Sequence, residues 1–282
     1  MKLLRYGPAG AERPGLLDRE GRIRDLGGIV HDIAGTALAP SSLERIAALD
    51  PETLPLAEGN PRIGPCVGRP SNFIAIGLNY EDHARESNLP IPSEPILFNK
   101  APNCIVGPND DVILPLNSTK GDWEVELALV VGTRAAYVSE AEAPGHIAGY
   151  CLCNDVSERS FQIERNGQWV KGKSAATFGP LGPWLVTADE ISSPQDIDLW
   201  LDVNGQRMQT GSTQSMIFGI YHLLSYVSQF MVLEPGDIIT TGTPPGVGMG
   251  RNPQIFLRPG DEMTLGGTGL GSQRQRVEAY HI

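Results

Sequence analysis

The sequence predicts an α+β fold that is mainly β, with a small β-rich domain at the N-terminus. Three observations carry this expectation. Gly (33) and Pro (23) together make 56 of the 282 residues, about a fifth, against roughly 12% in an average chain. A helical bundle would not tolerate so much punctuation. The apolar runs are short, alternate or run continuously over a few residues, and are bounded by turn signals. A single stretch, 213–231, has apolar residues spaced for a long helix with a buried face. The 40% hydrophobic content is too high for a disordered chain, and a chain of this length buries a substantial core without disulfides.

The elements follow in order. MKLLRY (1–6) is expected as a first strand, and PGLLDREGRIRDL (14–26) as a hairpin turning at Glu20 and Gly21. SSLERIAAL (41–49) predicts a short helix opened by Ser41. The Pro- and Gly-dense stretch that follows sets a boundary near residue 70, dividing the chain into a small N-terminal domain (1–70) and a larger one (71–282). SNFIAIGLNY predicts a strand ending at Gly77. It runs into YEDHARESN, a short helix-compatible segment, and then into LPIPSEP (89–95), a loop whose prolines and position suggest a lid. Strands are expected at 96–100, 112–114, 123–131, 147–154, 184–187 and 199–203, and 141–143 is compatible with a short helix start. Asn204-Gly205 supplies the two positive-φ residues of a hairpin turn. Pro235-Gly236-Asp237 and Pro259-Gly260-Asp261 are turns between strands, the first leading into a strand over 237–240.

Charge and cysteine usage exclude several classes. The net charge is 22 − 33 = −11, which argues against a nucleic-acid binder and against docking on anionic lipid. It serves solubility, unless part of it gathers around a divalent cation. The four cysteines form no C-x-x-C pair, and Cys151 and Cys153 read as small core residues on one strand face. No apolar stretch resembles a secretory signal or approaches 18 residues, so a reducing, cytoplasmic setting is expected.

The strongest chemical signal is DWEVEL (122–127). Residues i and i+2 of a strand share a face, so Glu124 and Glu126 project together beside a run that becomes apolar on both faces. They are either a solvated acidic strand end or, with Asp155 at the end of the strand 147–154, an oxygen site for Mg²⁺ or Mn²⁺. His83 and Glu86 stand at i and i+3, on one face of a helical turn. A carboxylate there orients an imidazole for general-base work, although an exposed polar helix has the same pattern. Lys171 and Lys173 are loop lysines or, at a metal-bound substrate, oxyanion stabilisers. Arg159 and Gln162 suit a substrate carboxylate or a surface helix alike. The loop TTGTPPGVGMG (240–250) matches no nucleotide motif, but its amides and Thr hydroxyls, Thr243 among them, suit an anionic substrate end as well as a plain turn. His31, His146, His222 and His281 have no acidic or thiol partner in register and read as structural or exposed.

Taken in order, IGLNYEDHARE (76–86), ILFNK (96–100), DWEVELA (122–128), NDVSER (154–159), GKS (172–174), TGTPPGVG (241–248) and the closing GLG (269–271) resemble the fumarylacetoacetate hydrolase family. The resemblance implies a mixed β-sandwich or roll, a homodimer and a Mg²⁺ or Mn²⁺ site. It assigns the metal to Glu124, Glu126 and Asp155, water activation to His83 and Glu86 on a lid, and charge stabilisation to Lys173. Substrate contacts fall to Arg159, Gln162 and Thr243. Ala176 stands where relatives often carry an acid after the lysine motif. The chain as a whole looks most like bacterial members assigned to sugar-acid breakdown. These imply 2,4-diketo-3-deoxy-L-rhamnonate, or the related fuconate, as substrate and pyruvate and L-lactate as products, although similar sequences also carry the name ureidoglycolate lyase. The same scaffold also serves decarboxylation of oxaloacetate or isomerisation of a ketoacid. A sugar-acid-binding protein without turnover and a structural protein with an incidental acidic strand are the non-enzyme readings.

Overall fold

The structure, a computed structural model, describes residues 1–86 and 90–281. It is mixed α/β and dominated by strands in two large sheets. The larger, ten-stranded sheet has Ile23–Asp25, Arg13–Leu17 and Lys2–Tyr6 at one side. Gly179–Thr187, Ile147–Asn154 and Val125–Val131 form its centre, and Ile238–Thr240, Phe73–Gly77 and Ile96–Asn99 its other side. Ile105–Val106 pairs with Gly179–Thr187 off that path. The second sheet orders Gln206–Ser212, Asp198–Val203, Glu262–Gly267, Gly271–Ala279 and Val112–Leu114. Val125–Val131 and Ile147–Asn154 have no exposed residue, because the second sheet packs on this centre. Buried amides cross the gap: Gln273 Nε2 donates to the carbonyls of Leu152 (3.0 Å) and Gly182 (2.8 Å), and Asn154 Nδ2 donates to Gln275 Oε1 (3.0 Å). Such pairs keep polar side chains inside a core without an unmet donor.

The hairpin at Glu20 and Gly21 and the Asn204-Gly205 turn form as expected, with both latter residues at positive φ. Strand pairing runs across the boundary drawn near residue 70: Lys2 and Leu3 pair with Val186 and Leu185, so the N-terminal strands extend the large sheet rather than forming one of their own. The helix expected over 213–231 is shorter. Thr213–Ser215 is a single 3-10 turn, and the α-helix is Ile220–Val227. Of the face expected at Ile217, Ile220, Leu223, Leu224 and Val227, the last four are buried on this helix while Ile217 precedes it half-buried; Gly219 interrupts the pattern, and glycine costs helix about 1 kcal/mol against alanine. The 123–131 strand is also broken: Gly121–Asp122 pairs with Ser157–Glu158, and the ladder resumes at Val125. His222 does meet an acid, Glu140 at 3.3 Å, supplied from outside its own segment. Ser87, Asn88 and Leu89, the end of the expected lid helix and the first residue of the lid loop, lie outside the described residues.

Candidate active site and metal centre

The break at Trp123-Glu124 builds the site. Asp122, Glu124 and Glu126 all end up buried, so the solvated acidic strand end is excluded. Glu124 and Glu126 meet Asp155, which follows the neighbouring strand and whose amide bonds the Glu124 carbonyl at 2.9 Å. Carboxylate oxygens of Glu124, Glu126 and Asp155 lie within 4.8 Å of one another.

Three buried cations surround them. Lys173 Nζ donates to Glu124 Oε2 (2.6 Å) and Asp155 Oδ2 (2.8 Å). Arg159 reaches Asp122 Oδ2 through Nε (2.8 Å), Glu124 Oε1 through Nη2 (2.6 Å) and Gln162 Oε1 through Nη1 (3.1 Å). Lys100, fully enclosed, donates to Asp155 Oδ1 (2.6 Å) and to the carbonyls of Val156 and Lys173. Arg159 and Gln162 are thus buried rather than on a surface helix, and Lys173 is buried while Lys171 is exposed. Ala176 lies exposed, in a turn anchored by Ser174, which accepts from Ala101 N–H, and Thr177, which accepts from Ile113 N–H.

Charge is unevenly compensated. Asp122, Glu124, Glu126 and Asp155 give four acids against Lys100, Arg159 and Lys173, so 3 − 4 = −1 in the buried cluster. Burial raises the Glu124 carboxyl, but Arg159 and Lys173 overcome it and hold it below the usual range. Glu126 goes the other way: burial, Asp155 and Glu124 push it well above that range. Among the described residues its one hydrogen bond comes from Gly242 N–H to Oε2 (2.9 Å). A buried, all-oxygen donor set with surplus negative charge and an unpartnered carboxylate oxygen fits a hard dication such as Mg²⁺ or Mn²⁺.

The imidazole stands opposite. Glu81–Glu86 is a short helix carrying buried His83, whose Nδ1 lies 3.3 Å from Glu86 Oε2. Burial raises the Glu86 carboxyl, but His83, Gly246 N–H and Arg251 lower it overall. Gly246 N–H donates to both Glu86 oxygens (3.1 and 3.0 Å), and a Cβ on Gly250 would lie 2.5 Å from the Glu86 carboxyl carbon. The Gly-rich loop therefore spends its amides on the protein's own acids: Gly242 on Glu126, Gly246 on Glu86, and Gly248 and Met249 on Asp122. Thr243 lines the cavity, but its hydroxyl donates to Val125 O (2.9 Å) and accepts from Gln209 Nε2 (2.7 Å). Upstream, Leu78 takes a left-handed φ of +50°, and Asn79 Nδ2 ties this turn to Thr241 O (2.8 Å).

These groups open into one cavity of about 90 Å³. Its polar lining is Glu124, Glu126, Arg159, Gln162, Lys173 and His83, and its apolar lining is Ile76, Leu78, Phe98, Ile163, Trp169 and Met249; the contacts of Lys173 with Phe98 and of Phe98 with Trp169 lead from the first to the second. His83 Nε2 and the Gln162 amide N–H groups have no protein partner among the described residues. Sequence reasoning missed Asp122, Lys100 and Trp169. Asp122 was detectable, since it shares the i, i+2, i+4 face with Glu124 and Glu126. Lys100 carried a fainter signal, a lone cation closing an apolar strand. Trp169 carried none, because its place depends on Gly77, where a Cβ would lie 2.7 Å from the indole.

The family description "Fumarylacetoacetate (FAA) hydrolase C-terminal" matches residues 72–278. A Burkholderia ambifaria protein bearing only a provisional hydrolase name is 58% identical over 276 residues, 98% of each chain. A Mycobacterium abscessus structure provisionally named a 2-hydroxyhepta-2,4-diene-1,7-dioate isomerase is 32% identical with a TM-score of 0.84, covering 100% of both chains. Maleylpyruvate hydrolase from Sphingobium sp. SYK-6, solved with manganese(II) and pyruvate, is 25% identical with a TM-score of 0.82, again over 100% of both. The chain belongs to the fumarylacetoacetate hydrolase family, whose fold its two sheets reproduce.

Proposed function

We propose that this chain is a Mg²⁺- or Mn²⁺-dependent hydrolase that cleaves the C3–C4 bond of a 2,4-diketo acid. 2,4-Diketo-3-deoxy-L-rhamnonate, giving pyruvate and L-lactate, is the substrate we favour. The observation that carries the reading is the facing of the two halves of the site. The buried carboxylates of Glu124 and Glu126, which meet that of Asp155, share one cavity with an acid-supported imidazole whose Nε2 has no partner among the described residues. When bound, the dication supplies Lewis-acid polarisation of the 2-keto acid end.

The chain's own groups do the rest. Gln162 N–H and the Arg159 guanidinium orient the substrate carboxylate. His83 Nε2, its opposite nitrogen held by Glu86, takes a proton from water, and the resulting hydroxide adds to C4. The Lys173 ammonium stabilises the oxyanion that forms there. Collapse of the adduct breaks C3–C4, with the electron pair passing to the pyruvate enolate. Protonation at C3 by the histidinium completes pyruvate, and the remainder leaves as a carboxylate. A homodimer in the cytoplasm is part of the same reading.

Activity of the purified protein on a panel of diketo acids, oxaloacetate and ureidoglycolate, with Mg²⁺ or with chelator and with products identified by mass, is the test. His83→Ala is expected to lower diketo acid cleavage by about 10²–10⁴-fold, the usual contribution of a general base, while leaving metal binding intact. Full activity of His83→Ala with metal bound would overturn the mechanism. Isomerisation of a ketoacid is the second reading, favoured by the name of the Mycobacterium abscessus neighbour. It needs no water and predicts a product of unchanged mass.

A further inference from the structure

The far end of the cavity carries information about substrate that the catalytic residues do not. Its wall is graded. Lys173 Nζ stands 5.0 Å from the Phe98 ring centroid, and Phe98 packs edge-on against Trp169 at 5.2 Å. Trp169 in turn lies on Gly77, which has no side chain to displace it. Ile76, Leu78, Ile163 and Met249 are the other apolar side chains of the cavity lining. Moving away from the carboxylates, the surface passes from an ammonium, through an aromatic face that an ammonium already occupies, to aromatic and aliphatic carbon.

Arg159 and Lys173 are the cations among the described lining residues, and both are committed at the polar end, to Asp122, Glu124 and Gln162 and to Glu124 and Asp155. Charged groups on neighbouring turns are engaged elsewhere: Lys171 Nζ donates to Arg165 O (3.1 Å), Arg165 lies over the Phe161 ring, Arg85 is paired with Glu81 and Asp82, and Arg251 donates to Met208 O (2.6 Å) and acts on Glu86. Ser87, Asn88 and Leu89 carry no charge. A carboxylate at the distal end of a substrate would exchange water for a wall that offers, among the described lining residues, the Trp169 indole N–H but no uncommitted cation, which is unfavourable.

We propose that Phe98, Ile163 and Trp169 are specificity-determining residues that restrict this enzyme to 2-oxo monoacids with a short, uncharged tail and reject diacids. This rests on the polar end receiving the 2-oxo acid group, as in the proposed function. A small neutral terminus fits the aromatic and aliphatic wall, and a second carboxylate does not.

The test is a matched pair measured by calorimetry in Mg²⁺: 2-oxopentanoate, and 2-oxoglutarate, which carries a carboxylate in place of the terminal methyl. We expect 2-oxopentanoate to bind about 100-fold more tightly, the size of discrimination an apolar pocket makes against an added polar group. Ile163 is 48% exposed, so Ile163→Lys puts an ammonium at the rim without disturbing the core. It should narrow or reverse the preference. Equal or tighter binding of 2-oxoglutarate by the wild-type protein, or an unchanged ratio in I163K, would overturn the proposal. Because binding is read without turnover, the two readings fail separately. The expected preference with no cleavage of any diketo acid sinks the hydrolase reading alone. Cleavage of diketo diacids as efficiently as monoacids sinks the selectivity alone.

Discussion

At Glu126, burial and two carboxylate neighbours act in the same direction, and no cation among the described residues is hydrogen-bonded to it. A carboxyl whose folded value lies above its unfolded value, about 4.3, holds its proton more tightly in the native state. The penalty of ionising it is absent below that pH and grows as pH rises through the raised folded value. The metal-free protein should therefore lose stability as pH increases from acid to neutral, and Mg²⁺ should restore it, by about 2.7 kcal/mol at a hundred times its Kd. Glu126→Gln should raise Tm in chelator at pH 7 and abolish the Mg²⁺-dependent rise. Differential scanning calorimetry with and without chelator distinguishes this from a Glu126 that is simply structural, for which Tm would fall in both conditions.

The Gly-rich loop is the element on which the site converges, because its amides cap the acids of three other segments. Its sequence signal, several glycines among prolines and threonines, was legible as a shaped loop. Its partners were not, since nothing local tells which distant carboxylates the amides will meet. Gly246 is the sharpest point: φ is +108°, and a Cβ would come within 2.0 Å of the Met208 carbonyl oxygen. No flexible side-chain end can give way there, so Gly246→Ala must move backbone, and with it the amide N–H that holds Glu86. We expect a loss of about 2 kcal/mol or more in chemical denaturation, from strain and altered packing. Activity should fall further than stability alone explains. A fully stable and active G246A would show that the loop does not hold the dyad.

For the whole molecule, the N-terminal strands and the larger domain share a sheet and a core. Leu3, Leu16 and Leu26 are buried within the same apolar cluster as Leu185 and Val186, and residues 2 and 3 pair with residues 186 and 185. A chain cut to 71–282 would expose that apolar surface and leave an unpaired sheet edge, a template for aggregation. It should express as insoluble or unfolded material, read by circular dichroism and gel filtration. A monodisperse, folded 71–282 would establish the boundary near residue 70 as an independent one. No helix among the described residues is long and apolar enough to cross a membrane.

Short-range physics determined much of this protein from its sequence: the predominance of strands, the turns at Gly21 and Asn204-Gly205, the pairing of Glu124 with Glu126 on one face, and the His83–Glu86 spacing. Each depends on the period of a strand or helix, or on which residues tolerate positive φ. The ordered motifs named the family before any coordinates did. Only the tertiary structure decided that the acids are buried, that Arg159, Lys173 and Lys100 neutralise most of their charge, that the loop amides are already taken, and that Trp169 walls the far end of the cavity. Those contacts join residues far apart in the chain, and their energies come from desolvation and from charges facing each other across the core. No local pattern encodes either until the sheets have closed around them.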